Sequence, residues 1–282
     1  MGTLSKDLRV AFIGAGNMAE AMISGIVKTG TLEPRQVTAT NRSNADRLLE
    51  LHNEYGIQGI MRDKLQLSSY DVIFMAMKPK DAETSLRSIK DHIRPDQVVM
   101  SVLAGISTEF MEDNLNEGQQ VIRVMPNTSS MLRESATAIS PGQNVTMKNV
   151  KLAKSLLSSI GEVYVIEEDQ MDLFTGIAGS GPAYFYYLME HIEKTAEANG
   201  MDVKQAREIG AQTILGAAKM MIEREETPTE LRQNVTSPNG TTAAGLDALN
   251  ENGGGNAIKA AIEGAMNRSK EITEQMAKVT VQ

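Results

Sequence analysis

The feature that most constrains this chain is a run near its start, Val10-Ala11-Phe12-Ile13-Gly14-Ala15-Gly16-Asn17-Met18-Ala19. An apolar strand is followed by G-x-G-x-x-A and then by a helical pattern that reaches Lys28. Gly14 permits a tight turn, Gly16 lets the backbone approach a pyrophosphate, and Ala19 permits close helix–sheet packing. Phosphates at such a turn meet the free N–H groups and the positive end of the helix. A simple tight turn would explain the glycines alone. Their place between an apolar strand and a helix of this length favours a dinucleotide site.

The rest of the first half repeats the strand–helix alternation. Strands are predicted at residues 9–13, 36–40, 71–77, 97–103, 120–125, 135–140 and 161–167. Helices are predicted at 18–28, 43–55, about 81–92 and about 145–159. The strands are continuous Val/Ile/Met runs, which suit a sheet covered on both faces. The expected fold is therefore α/β, an N-terminal Rossmann-type, doubly wound, mostly parallel sheet. From about residue 169 the strand signal stops, and helices are expected at 183–199, 203–225, 241–250 and 255–277, interrupted by Pro228 and Pro238, with Gly200 as a C-terminal cap. The expected organisation is a nucleotide-binding domain over 1–168 and an all-helical domain over 169–282. Residues 209–222 (IGAQTILGAAKMMI) are apolar nearly all round, as in a helix buried on every side. So small a helical domain does not hide such a helix by itself, so a homodimer is expected. The alternative is cover by its own bundle and the N-terminal domain.

Composition removes several function classes. With 28 Lys+Arg against 36 Asp+Glu, the formal charge is −8, and an acidic chain is a poor binder of nucleic acid. There is no cysteine, which excludes disulfides, thiolate catalysis and Cys-ligated metal centres. No metal site is read from the sequence. The apolar stretch over residues 10–27 is interrupted by Asn17 and Glu20, so no membrane span is expected. The first residues carry no leader or myristoylation pattern, and a cytoplasmic location is the expectation. With 18 methionines and 4% aromatics, the core is expected to be aliphatic and Met-rich.

The cofactor type is suggested at the end of the second strand, Asn41-Arg42-Ser43. An NAD enzyme places an acid here for the ribose hydroxyl, and none is present. Arg42 can pair with a 2′-phosphate, and Asn41 and Ser43 can donate to it, so NADPH fits better. The plain alternative is that Arg42 is a solvated loop charge. Lys78-Pro79, Ala104-Gly105 and residues 123–127 end further strands at the same edge, where ligands bind in doubly wound folds.

Two motifs in the second half are too polar and Gly-rich for plain packing: Thr175-Gly176-Ile177-Ala178-Gly179-Ser180-Gly181-Pro182-Ala183-Tyr184, and Asn234-Val235-Thr236-Ser237-Pro238-Asn239-Gly240-Thr241-Thr242-Ala243-Ala244-Gly245. Each gathers hydroxyls and backbone N–H groups around a helix start, which suits a carboxylate. Thr241 or Thr242 as an ordinary N-cap is the plainer reading. A dehydrogenase acting on an alcohol must also move a proton at oxygen, usually with Lys or His. The histidines (His52, His92 and His191) lie in predicted helices outside both motifs, and neither motif holds a lysine. A cationic imine already carries its proton, so C=N reduction needs only hydride delivery and a grip on the substrate.

The chain resembles the pyrroline-5-carboxylate reductase family. The resemblance rests on Ile13-Gly14-Ala15-Gly16-Asn17-Met18-Ala19, on Met77-Lys78-Pro79, on residues 175–184, and above all on Val235-Thr236-Ser237-Pro238-Asn239-Gly240-Thr241-Thr242. It implies reduction of 1-pyrroline-5-carboxylate to L-proline with NADPH or NADH, and a helical domain that dimerises, often building decamers. Carried over by position, it implies that Gly14, Asn17 and Met18 line the phosphate loop, beside the Gly16 of the fingerprint, and that Asn41, Arg42 and Ser43 face the adenosine end. Met77, Lys78 and Ala104 then flank the nicotinamide. Ser237, Gly240, Thr241 and Thr242 hold the substrate, with Thr242 hydrogen-bonded to the ring nitrogen, either orienting the imine or relaying a proton, while Asn234 and Glu168 close the site. Asp63 stands where relatives commonly have Asn at the cofactor, and an acid there can reach a ribose hydroxyl. Asn239 stands where Gly is frequent. Competing readings are a reductase of another cyclic imine, a 3-hydroxyacid-type dehydrogenase, and an NADP-sensing scaffold.

Overall fold

The computed structural model describes residues 4–279, with side chains described through residue 276. Residues 1–3, part of the N-terminal segment expected to lack a leader, lie outside the described residues. The chain divides into two compact units, Met1–Gly179 with Gly264–Gln282, and Ser180–Glu263.

The first unit is built on an eight-stranded sheet: β1 (Val10–Ile13), β2 (Val37–Asn41), β3 (Gln58–Met61), β4 (Val72–Met75), β5 (Val98–Ser101), β6 (Gln120–Met125), β7 (Ser135–Pro141) and β8 (Gly161–Val165). Its order is β3-β2-β1-β4-β5-β6-β7-β8. All neighbours are parallel except β6 and β7. Its helices are α1 (Asn17–Lys28), α2 (Ala45–Tyr55), α3 (Ala82–Ile89), α4 (Thr108–Asp113), α5 (Met147–Leu157) and α6 (Met171–Phe174), the last continued by a π-turn at Thr175–Gly179.

The continuous apolar strands divide by residue parity between two cores. Val10 and Phe12 of β1, Val72 and Phe74 of β4, and Met100 of β5 join one cluster with Met22 and Ile26 of α1 and Leu156 of α5. Ile13, Ile73, Met75 and Val99 turn to the other, with Leu86 and Ile89 of α3 and Met111 of α4. Successive side chains on a strand point to opposite faces, so a sheet buried on both sides needs an unbroken apolar run. Phe12 stacks on Phe74 with ring centroids 4.7 Å apart. At about 25 cal/mol per Å² of apolar surface, the two layers supply the main stabilisation of this unit.

Local chemistry sets the helix ends. Asn44 accepts a hydrogen bond from the Arg47 N–H and starts α2, and Gly56 ends it in a left-handed conformation at φ 70°. The helix predicted over 81–92 is a shorter α3 flanked by 3-10 turns at Pro79–Asp81 and Lys90–His92.

The second unit contains α7 (Gly181–Ala198), α8 (Val203–Glu223), α9 (Pro228–Asn234), α10 (Thr241–Glu251) and the start of α11 (Gly254–Val279). Gly200 follows α7 at φ 82°, as its capping role requires. Gly210 of α8 lies against Met189 and Ile192 of α7, where a Cβ would displace the end of the Met189 side chain. The Tyr184 hydroxyl donates to the Ala261 carbonyl at 3.2 Å. Yet Phe185, Tyr186, Tyr187, Ile209, Leu215, Met221 and Ile222 are exposed, Ile222 at 81%. The helix expected to be buried all round is thus open in a single chain. The far end of α11 belongs to the first unit: Ile272 seats on Gly105, and the Ser269 hydroxyl donates to the Asp172 carboxylate at 2.6 Å.

Candidate active site

The carboxyl ends of β1, β2, β4 and β5 bring the predicted cofactor residues to one edge of the sheet. The glycine turn is stitched between its neighbours. Gly14 N–H donates to the Thr40 carbonyl at 3.1 Å, and Ala76 N–H donates to the Ile13 carbonyl at 2.9 Å. Gly14 sits at φ 116°, and a Cβ there would run into the Ala76 carbonyl group, 2.6 Å from its carbon. No other residue satisfies that geometry. Gly16 differs. Its φ is −80°, and a Cβ would meet nothing within 4 Å, so the space above it is open. It is the N-cap of α1, and no side chain caps that helix. Gly16 and Asn17 are exposed and Met18 half-buried. An uncapped helix start under open space fits the pyrophosphate of a dinucleotide.

A residue the sequence reading missed supports this turn. Arg47 of α2 donates through Nε to the Ala15 carbonyl at 3.0 Å, while its other nitrogens pair with Glu20 and Glu50. The hydrogen bond to Glu20 holds the Arg47 pKa above its ordinary value. Tyr55 donates to Glu20 at 3.2 Å, and burial, then the Glu54 side chain, push its pKa up to about 12. Arg47 lies 32 residues from Ala15 in the chain, and no motif marks it.

At the end of β2 the Asn41 side-chain oxygen accepts from the N–H groups of Ser43 (3.2 Å) and Asn44 (3.1 Å). This turn leaves Arg42 exposed, and Arg42 is in no ion pair among the described residues. A guanidinium with no carboxylate beside it fits a 2′-phosphate. Asp63 follows β3 and is exposed. Met77 is half-buried beyond β4, and Lys78 and Ala104 are exposed beyond β4 and β5.

Glu168 follows β8 and accepts from Arg123 Nη1 of β6 at 2.7 Å. Arg123 is 3% exposed, and its Nη2 and the second Glu168 oxygen are buried without a protein partner. Asn127 ties the end of β6 to the π-turn, donating from Nδ2 to the Ala178 carbonyl at 3.0 Å and accepting from Ser129 N–H. Within residues 175–184 the first five close a π-turn and Gly181 begins α7, so the motif does span a helix start, two residues before the predicted one.

In the second unit, Thr227 and Glu230 form a capping box that starts α9, and Asn234 ends it. Hydrogen bonds from the Thr227 hydroxyl and N–H hold the Glu230 carboxyl below its ordinary pKa. The following turn places Asn239 at φ 58° and Gly240 N–H on the Ser237 carbonyl at 3.0 Å. Asn tolerates the left-handed conformation that Gly would supply here. Gly240 is the N-cap of α10, with no side-chain cap. Neither threonine caps: Thr241 and Thr242 are the first two helical residues. A Cβ on Gly240 would collide with the Ser237 hydroxyl, which lies against it. Asn234, Ser237, Thr241 and Thr242 are all exposed.

Among the described residues, no group of three or more His, Asp or Glu side chains could hold a metal, and no helix is long and apolar enough to cross a membrane.

A doubly wound sheet, an open glycine turn and a helix start without a side-chain cap define a dinucleotide-binding protein of the Rossmann class. Residues 9–105 match the family described as NADP oxidoreductase, coenzyme F420-dependent, and residues 168–272 match pyrroline-5-carboxylate reductase dimerisation. Pyrroline-5-carboxylate reductase 1 of Bacillus subtilis is 58% identical over 270 residues, 96% of this chain and 91% of its own. A pyrroline-5-carboxylate reductase structure from Coxiella burnetii superposes with a TM-score of 0.87 at 32% identity, covering 95% of this chain and 99% of that one. The Plasmodium falciparum pyrroline carboxylate reductase with NADP bound gives 0.85 at 25% identity, with the same coverage. This chain belongs to the pyrroline-5-carboxylate reductase family.

Proposed function

We propose that this protein reduces 1-pyrroline-5-carboxylate to L-proline with NADPH, the final step of proline biosynthesis. The observation that carries the reading beyond family membership is the start of α10. Two threonine hydroxyls and a set of uncapped N–H groups stand there with no titrating side chain in the motif.

Bound NADPH supplies a hydride for the ring C=N carbon. The chain's part is to hold the reactants. Gly14, Gly16, Asn17 and Met18 accommodate the pyrophosphate, Asn41, Arg42 and Ser43 the adenosine end, and Met77, Lys78 and Ala104 the nicotinamide side, with Asp63 available to a ribose hydroxyl. The N–H groups and hydroxyls at Thr241 and Thr242 take the substrate carboxylate, the helix dipole favouring the anion. Ser237 and Gly240 shape that turn. The Thr242 hydroxyl accepts the ring N–H and orients the iminium. The iminium carries its proton on nitrogen before reaction, so hydride addition gives the amine with no further proton from the chain. Catalysis is then chiefly positioning and exclusion of water. Asn234 and Glu168 belong to the proposed surroundings of the substrate, Glu168 through its pairing with Arg123.

We assign nucleotide binding to 1–168 and dimerisation with substrate binding to 169–282. A homodimer covering the exposed faces of α7 and α8, further assembly into a decamer, and a cytoplasmic location complete the proposal. The experiment is loss of NADPH absorbance on addition of 1-pyrroline-5-carboxylate, compared with other cyclic imines and with 3-hydroxyacids plus NADP⁺. Turnover of a 3-hydroxyacid in preference to the imine refutes the reading. Light scattering on the purified chain tests the assembly.

A further inference from the structure

The ends of β2 and β3 carry a pair of cations that the glycine fingerprint does not account for. The strands are parallel neighbours with Asn41 opposite Met61. The next residue on each is an arginine, Arg42 and Arg62. Adjacent strands lie about 4.8 Å apart, so the two backbones leave the sheet side by side at the same edge, Arg62 then opening a 3-10 turn over Arg62–Lys64. Arg62 is half-buried and held from the side: its Nη2 donates to the Ser88 hydroxyl of α3 at 3.0 Å, and Ser88 donates to the Ser85 carbonyl at 2.8 Å. Among the described residues neither arginine is in an ion pair. Asp63, the nearest acid in sequence, is exposed and pairs with neither.

Two guanidinium groups close together without a carboxylate repel each other. Burial first, and then the charge of Arg42, hold the Arg62 guanidinium below its ordinary pKa. A dianion placed between them would remove that repulsion. A phosphomonoester carries a charge of about −1.5 to −2 and three acceptor oxygens, and arginine matches phosphate geometry.

We infer that Arg62 is a specificity-determining residue: with Arg42 it clamps the 2′-phosphate of NADPH, and Ser88 fixes its side chain in place for that contact. The inference rests on the NADPH-dependent reading above and adds a residue from β3 to the usual determinants at the end of β2. It also resolves the competing pull of Asp63. A ribose hydroxyl can be served by an exposed acid, whereas a phosphate is drawn to the two arginines.

The test is calorimetric binding of adenosine 2′,5′-bisphosphate and of 5′-AMP to the full-length chain, with R62Q, R62K and R42A beside the wild type. Unchanged urea midpoints verify that these surface-turn variants remain folded. The wild type should bind the bisphosphate at least about tenfold more tightly than 5′-AMP, since charge-assisted contacts to phosphate are the strong ones. R62Q should lose about tenfold for the bisphosphate and less than about twofold for 5′-AMP, with R62K recovering part of the loss because it keeps the charge. R42A should behave as R62Q does. Equal weakening of both ligands in R62Q, or of neither, overturns the inference. Wild-type chain that turns over pyrroline-5-carboxylate but shows no preference for the bisphosphate overturns it while leaving the reductase reading intact. Tight, Arg62-dependent bisphosphate binding without imine turnover does the reverse.

Discussion

The two glycines of the phosphate turn should separate fold from function when each is changed to alanine. Gly16 has an ordinary φ of −80°, and its added methyl would meet nothing within 4 Å. Alanine is a weaker N-cap by up to about 1 kcal/mol. It also restricts the unfolded chain, which returns about 0.4–1 kcal/mol. Stability should therefore stay within about 1 kcal/mol of wild type. Gly14 is at φ 116°, and its methyl would press on backbone, 2.6 Å from the Ala76 carbonyl carbon and 2.8 Å from the Met77 nitrogen. Strain of about 1–3 kcal/mol adds to overpacking of similar size, so Gly14→Ala should lose about 2–6 kcal/mol. Cofactor binding should follow a different order. The Gly16 methyl fills the space assigned to the pyrophosphate. Losing one charge-assisted N–H contact of about 1.5–3 kcal/mol weakens NADPH binding by about ten- to a hundredfold. Urea unfolding and titration of NADPH fluorescence measure the two quantities on the same samples. A Gly16→Ala protein that binds NADPH as the wild type does would refute the placement of the phosphates. Loss of stability equal to that of Gly14→Ala would refute the packing argument.

Further outcomes concern other parts of the molecule. Thr242→Ala should lower kcat for pyrroline-5-carboxylate while leaving the NADPH dissociation constant unchanged, and wild-type kinetics in that variant would remove Thr242 from the mechanism. Breaking the buried Arg123–Glu168 pair should be asymmetric. Glu168→Ala strands a guanidinium whose side chain is 4% exposed and should cost about 3 kcal/mol or more, whereas Arg123→Met leaves the carboxylate on a side chain that is 32% exposed, which can turn its buried oxygen toward water, and should cost less. Urea midpoints showing the opposite order would contradict this. The Glu230 carboxyl, held low by Thr227, supports the start of α9 above the unfolded pKa of about 4.3 and loses that contribution as pH falls through the lower folded value. The protection factor of the Glu230 amide, which removes the intrinsic slowing of exchange in acid, should therefore fall at low pH, and in Thr227→Ala it should already be low at neutral pH. Tyr55 should resist ionisation until about pH 12, so the ultraviolet phenolate titrations of wild type and Tyr55→Phe should coincide through about pH 10 and the wild type should show one additional step near 12.

Much of this architecture was legible because burial on two faces writes itself as unbroken apolar runs. Residues 71–77 and 97–103 announced β4 and β5 in that way. β3 did not announce itself. Gln58-Gly59-Ile60-Met61 is an edge strand, exposed over its first half, so its residues owe little to a core. α4 and α9 have 6 and 7 residues, too short for a helical period to show. The antiparallel step from β6 to β7 follows from chain length. Residues 126–134 offer only a short 3-10 turn, and a parallel crossover needs about a dozen residues or more. In the candidate site, motif residues could be read from local spacing, because Gly14, Gly16 and the turn before α10 depend on near neighbours. Arg47 on Ala15 and Arg123 on Glu168 could not, since each contact joins segments distant in sequence. Arg62 left one usable signal: it follows β3 at the same offset at which Arg42 follows β2.

The open faces of α7 and α8 make the amount of protein in solution a variable of stability. A lone subunit presents Phe185, Tyr186, Ile209 and Ile222 to water. When a second copy covers them, the native form is favoured by mass action and its melting point rises with concentration. Folding then finishes in a second-order encounter, and dilution alone acts as a denaturant.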